Sequence, residues 1–189
     1  MLPLPSITYD RRRAVEYAHR WAYFRNPQFY DFSELGGDCT NFASQCLLAG
    51  SGVMNFTPTY GWYYRTVDDR TASWTGVEYF YNFLVKNKGV GPFAVEAPIE
   101  EMRPGDFIQF MADQGRFQHT PVVTEIRGIT PTPTTIYVAA HSGDCDCRPL
   151  NSYSYQKIRF LHIEGVRYRP PGFLWAQYSD EADEPDLSS

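Results

Sequence analysis

The sequence predicts an α+β fold built as one domain, and three observations carry that prediction. Apolar residues recur at helical spacing through the N-terminal half, short runs rich in β-branched and aromatic residues follow Pro104, and glycine and proline fill the connectors between those runs. Helices first and strands second is the order of an antiparallel sheet with its helices gathered together, not of alternating parallel units. A length of 189 residues suits one core, and 43% apolar with 21% charged residues is the composition of a packed chain.

Taken in order, residues 1–9 read as an extension. The first helix is expected over residues 10–25, with Asp10 as its cap and Ala14, Ala18, Trp21 and Ala22 along one face. Asn26-Pro27 stops it, because a residue before proline is pushed out of the α region. Gly36-Gly37 then introduces a second helix, capped by Asp38, running over 39–49 and closed by Gly50, with Phe42, Cys46 and Leu47 directed into the core. Residues 50–73 show no clean period and read as a long surface excursion. Thr75 and Glu78 have the spacing of a capping box, opening a third helix with Val77, Phe80 and Leu84 inward, which Gly89, Gly91 and Pro92 end. Strands are expected in DFIQFM after the Pro104-Gly105 turn, then in HTPVVTEIR, TTIYVAAH and KIRFLHIEGVRY. Their core residues are Phe107, Ile108, Val122, Val123, Ile136, Val138, Phe160 and Ile163.

Charge removes several function classes. The formal net charge is −5, yet five of the 22 acids are Asp180, Glu181, Asp183, Glu184 and Asp186. Without them 17 acids face 17 Lys plus Arg, so the body is neutral. No basic stripe is available for a phosphate backbone, and nucleic acid is not an expected partner. The folded unit is therefore expected over 10–178, followed by an acidic disordered tail over 179–189. No window approaches the roughly 18 apolar residues of a spanning helix. The opening MLPLPSITYDRRR lacks the pattern of a signal peptide.

Chemistry concentrates around one cysteine. Cys39 stands at the first turn of a helix, behind two glycines and a capping acid. Unpaired backbone N–H groups and the positive end of the helix dipole favour a thiolate there, and can bring a cysteine pKa from about 8.5 into the ~3.5–7.5 range. A nucleophile of this kind needs a base. His119 opens one strand and His141 closes the next, so antiparallel pairing would make the two neighbours. His19, inside the first helix, and His162, inside a strand, read as structural. His141, Cys145 and Cys147 could be taken for zinc ligands, but C-x-C spacing fits a structural zinc poorly. Trp62, Tyr63, Tyr64, Trp74 and Tyr79 offer a different reading, an aromatic-lined cleft in a non-catalytic wall- or glycan-binding module.

The stretch GGDCTNFASQCLLAG, with NPQFY before it and GWYYR, TGVEYFYNFL, RPGDFIQF and HTPVVTEI after it, resembles the putative amidase domain family. That family is similar to the papain-like cysteine peptidases and amidases, among them the NlpC/P60 cell-wall hydrolases of bacteria. The resemblance spans about residues 10 to 168, and GGDCTNF followed by SQC is its most specific part. It implies a papain-like fold with the nucleophile at a helix N-terminus against an antiparallel sheet. It implies Cys39 as nucleophile, His119 as base and His141 as the third polar group, with Asp144 an alternative for that role. The oxyanion hole would combine the Cys39 backbone N–H with a side chain from NPQFY, for which Tyr30 is the candidate. No cofactor and no metal are implied. The implied substrate is an amide bond in a peptide or a peptidoglycan stem.

Overall fold

The computed structural model describes residues 3–112 and 115–170; the acidic tail lies outside them. It is α+β, with helices against a curled antiparallel sheet of seven strands. Helix α1 (Arg11–Trp21) starts as expected, the Asp10 carboxylate accepting from the Arg13 N–H at 3.0 Å. It is shorter than its apolar spacing suggests, ending before Ala22. Ala14, Ala18 and Ala22 are fully buried, and these small residues let α1 lie close against α2 (Cys39–Ser51).

Helix α2 is the centre of the molecule. Eleven of its thirteen residues are buried, so its polar side chains must find partners inside. Ser44 Oγ donates to the Trp74 carbonyl at 2.8 Å and accepts from Trp62 Nε1 at 3.0 Å, and Gln45 Oε1 accepts from Tyr17 at 2.7 Å. The helix runs one residue past Gly50 and closes at Gly52, whose φ of 64° and N–H to the Leu48 carbonyl make a left-handed cap. Gly50 serves contact instead: a Cβ there would lie 2.3 Å from Tyr9 Cε2 and 2.8 Å from the Asp10 carbonyl.

The expected capping box does not form. Ala72–Thr75 is its own turn of helix, α3, and α4 (Val77–Lys86) begins after Gly76, which is extended at φ −106°, ψ 126°. Phe80 and Leu84 are buried as expected.

The sheet holds β1 (Ser6–Ile7), β2 (Gly91–Glu96), β3 (Phe107–Met111), β4 (Val122–Ile126), β5 (Ile136–Ala140), β6 (Cys145–Pro149) and β7 (Lys157–Arg167). The long β7 pairs with β2 along one edge and with β1 and β3 along the other, and β3, β4, β5 and β6 follow in order. Residues 6–7, expected as an extension, thus form an edge strand, and Tyr9 is 3% exposed. Two apolar clusters result. One packs the helices on Phe107, Val122, Ala139, Leu161 and Ile163; the other gathers Ile108, Phe110, Val123, Ile136 and Val138 with Met102 and Leu150. Of the residues expected inward, Val77 and Phe160 are half-buried.

Candidate active site

Cys39 is the first residue of α2 and is 6% exposed. Its thiol donates to the Gln118 carbonyl at 3.7 Å and lies 3.8 Å from Thr40 Oγ1. Burial pushes the thiol above its ordinary pKa, and hydrogen bonds from the Thr120 backbone and the Thr40 hydroxyl and backbone only partly oppose it. Burial thus acts against the thiolate that the helix end would favour.

His119 pairs across the sheet with Phe110, their rings 6.0 Å apart, and meets Tyr153 at 5.9 Å. Strand alternation then fixes the neighbours. Thr120 points to the helices and bonds Thr40, Oγ1 to Oγ1 at 3.1 Å, while His119 belongs to the face of Phe110. The thiol therefore touches the backbone beside His119 and makes no hydrogen bond to its ring among the described residues. Burial, and secondarily Arg148, lowers the imidazole to about 4, so it is neutral at physiological pH.

His141 does not meet His119. Its Nδ1 lies 2.5 Å from Asp38 Oδ2 and its Nε2 lies 2.9 Å from the Trp21 carbonyl, with the ring stacked 4.0 Å from Phe42. Both ring nitrogens are thus taken up by oxygens of Asp38 and Trp21. Asp38 is the hub of this cluster. Its other oxygen accepts from the Phe32 N–H at 2.9 Å and Asn41 Nδ2 at 2.8 Å, while its own N–H donates to Ser142 Oγ at 2.8 Å. Asp144, the alternative third residue, forms a two-pronged ion pair with Arg25 at 2.9 and 3.1 Å. Tyr30 is 44% exposed, and its backbone is pinned by Tyr64 and Asn41 while its ring packs on Phe32.

Reading the sequence missed a buried polar line that continues from the site. Thr120 Oγ1 accepts from Gln109 Nε2 at 3.2 Å, and Gln109 Oε1 accepts from Arg159 Nε at 2.8 Å. The Arg159 guanidinium lies between the rings of Tyr81, at 3.6 Å, and Phe117, at 3.8 Å. Gln109 has the parity of the inward Phe107 in DFIQFM, and a polar residue on that face was the signal to follow. The aromatic cleft is not present as read. Trp62 and Trp74 are 0% exposed and stack at 4.9 Å, and Tyr64 packs on Trp74 at 5.7 Å, so they form core. A cavity of about 600 Å³ lies beside Tyr60, Tyr79, Asn82 and Lys86, and Cys39 is not among its lining residues.

Among known proteins, the chain is similar to an uncharacterized protein, YhbB, of Bacillus subtilis (strain 168). The identity is 39% over 122 residues, 62% of this chain but 38% of that relative, so the chain spans well under half of its length. No solved structure matches. The model of the putative amidase domain matches residues 8–163, which covers every candidate residue named above. By that match the chain belongs to the putative amidase domain family.

Proposed function

We propose that this protein hydrolyses an amide bond with Cys39 as nucleophile and His119 as base, the substrate being a peptide or a peptidoglycan stem. One observation carries the reading. In a chain of an amidase family, a lone thiol stands at the first turn of a buried helix, its sulfur 3.7 Å from the peptide that leads into a histidine.

His119 stands ahead of the main ladder of β4, and this mechanism requires its imidazole to leave the face of Phe110 and reach the sulfur. The pair starts as neutral thiol and neutral imidazole. His119 takes the thiol proton as sulfur attacks the carbonyl carbon, and the Cys39 backbone N–H, unpaired at the start of the helix, steadies the oxyanion with Tyr30 as the candidate second donor. The imidazolium gives its proton to the departing amine, leaving a thioester on Cys39. His119 then deprotonates water, which releases the acid and restores the thiol. The Asp38–His141 pair holds the end of α2 that presents Cys39, so in this mechanism His141 positions the nucleophile helix, not the base.

The test is hydrolysis of purified peptidoglycan, short peptides and acyl amides by the full chain and by Cys39→Ser and Cys39→Ala. We expect turnover to fall by about a thousandfold or more in both, and the wild type to trap a thioester of one acyl group per chain by mass. Undiminished turnover in Cys39→Ala would overturn the reading.

A further inference from the structure

We propose that His19, Asp146 and Cys147 form a binding site for a divalent transition metal of the zinc class. The donors that converge here are not those the sequence suggested: His141 is held by Asp38, and Cys145 Sγ lies 3.4 Å from the Tyr153 hydroxyl. Instead one imidazole nitrogen, one carboxylate and one thiol come together, their ligating atoms all within 4.8 Å of one another. Donors on a tetrahedral zinc stand about 3.3–3.6 Å apart, so side-chain rotation that draws these atoms together by about 1 Å brings all three onto one ion.

The backbone is shaped for this. In a regular strand Asp146 and Cys147 would point to opposite faces. Here the pairing of β5 with β6 slips between Val138 and Ala140, so two residues of β6 stand opposite Ala139, and Cys147 adopts φ 52°. A left-handed conformation is costly for a cysteine, of order 1–3 kcal/mol, and persists where surrounding structure imposes it. The bulge turns both side chains toward His19 on α1, and the Cys147 N–H donates to Asp146 Oδ1 at 2.8 Å.

The carboxylate is likewise aimed. Both Asp146 oxygens lie 2.9 Å from His19 Nδ1, which brings the carboxylate and the imidazole nitrogen face to face. Glu125 and Arg127, ion-paired at 2.8 Å, both act on Cys147, with opposite signs. His19 is 40% exposed and Asp146 20%, which leaves access for the ion and a water as fourth ligand. Nitrogen, oxygen and sulfur together favour zinc or cobalt over magnesium or calcium. The ion would join α1 to the edge strand β6 across 127 residues of chain.

Cobalt(II) titration of the full chain carrying Cys39→Ser tests this away from the thiol of the candidate active site. We expect one ion per chain, a thiolate-to-cobalt band in the near ultraviolet, and displacement by zinc. Cys147→Ser should abolish the band, and His19→Gln and Asp146→Asn should each weaken binding about tenfold or more. Cys145→Ser should leave all of it unchanged, and His19→Gln, at an exposed position, keeps the test valid if Cys147→Ser misfolds. Absence of saturable binding, or a band that survives Cys147→Ser, would overturn the proposal.

Discussion

Asp38 gathers the Phe32 N–H, Asn41, His141 and, at 3.6 Å, the Arg25 Nε onto one carboxylate with no exposure to water. Removing one partner from such a group leaves a buried charge uncompensated, which typically costs about 3–5 kcal/mol. We therefore expect His141→Ala and Asp38→Ala to lower the unfolding free energy from urea titration by that order, and to be strongly non-additive as a pair. Activity should fall with the population and position of the α2 end, yet less than in Cys39→Ala. Asp144→Ala, breaking an exposed pair with Arg25, should cost about 1 kcal/mol or less and leave turnover nearly intact. An undisturbed midpoint in His141→Ala would show that the cluster does not hold the helix end. GGDCTNF made Asp38 legible as the residue before a helix, but not its role. The expected cap does not form: the Asp38 side chain makes no cap hydrogen bond to α2 and is held instead by Phe32, six residues back, and by His141, 103 residues on.

At the scale of elements, legibility followed how much of the structure is locally dictated. The Asp10 cap, the alanine face of α1 and the four strands with runs of Val, Ile and Phe are local statements, and they appear where the pattern puts them. Strands β2 and β6 did not appear in the pattern. GPFAVE opens on a helix-ending Gly-Pro and CDCRP has no β-branched residue, and each is a strand because β7 or β5 offers it an edge. Helix α2 gives the clearest energetic prediction. Ser44→Ala would leave the Trp62 N–H unpaired in a dry core and should cost about 1–3 kcal/mol. Gly50→Ala should cost at least as much, because its methyl would meet the Asp10 backbone at 2.8 Å as well as the Tyr9 ring. Calorimetric melting of the two variants measures both, and a Gly50→Ala protein as stable as wild type would mean that α1 and α2 are not pressed together at this point.

For the whole molecule, the two faces of the sheet matter most, because the Cys39 thiol stands on the side of Thr120 and the helices and the His119 ring rests on the other. Sequence order suggested adjacency of His119 and His141 through strand pairing, and β4 and β5 do pair antiparallel, with Val122 opposite Ala139. Which face each ring takes depends on parity, and that was not legible without the register. The resting place of His119 gives the protein a pH signature. Its folded pKa, about 4, lies below the ordinary 6.5, so the folded state refuses a proton that the unfolded chain accepts. Stability from this group is complete above about pH 6.5 and is lost as pH falls toward 4, because in that window the unfolded state binds more protons. Between pH 7 and 4.5 the loss amounts to about 2 kcal/mol. Every titrating group contributes to an acid response, so the wild type alone cannot assign it. His119→Gln isolates the effect: urea midpoints of wild type and variant at the two pH values should differ in their pH response by about 2 kcal/mol, with the variant the less sensitive. The same neutral imidazole sets the acid limb of kcat/KM well below pH 6 in the proposed mechanism. Equal pH responses of wild type and variant would place the His119 ring in water and remove the basis for that limb.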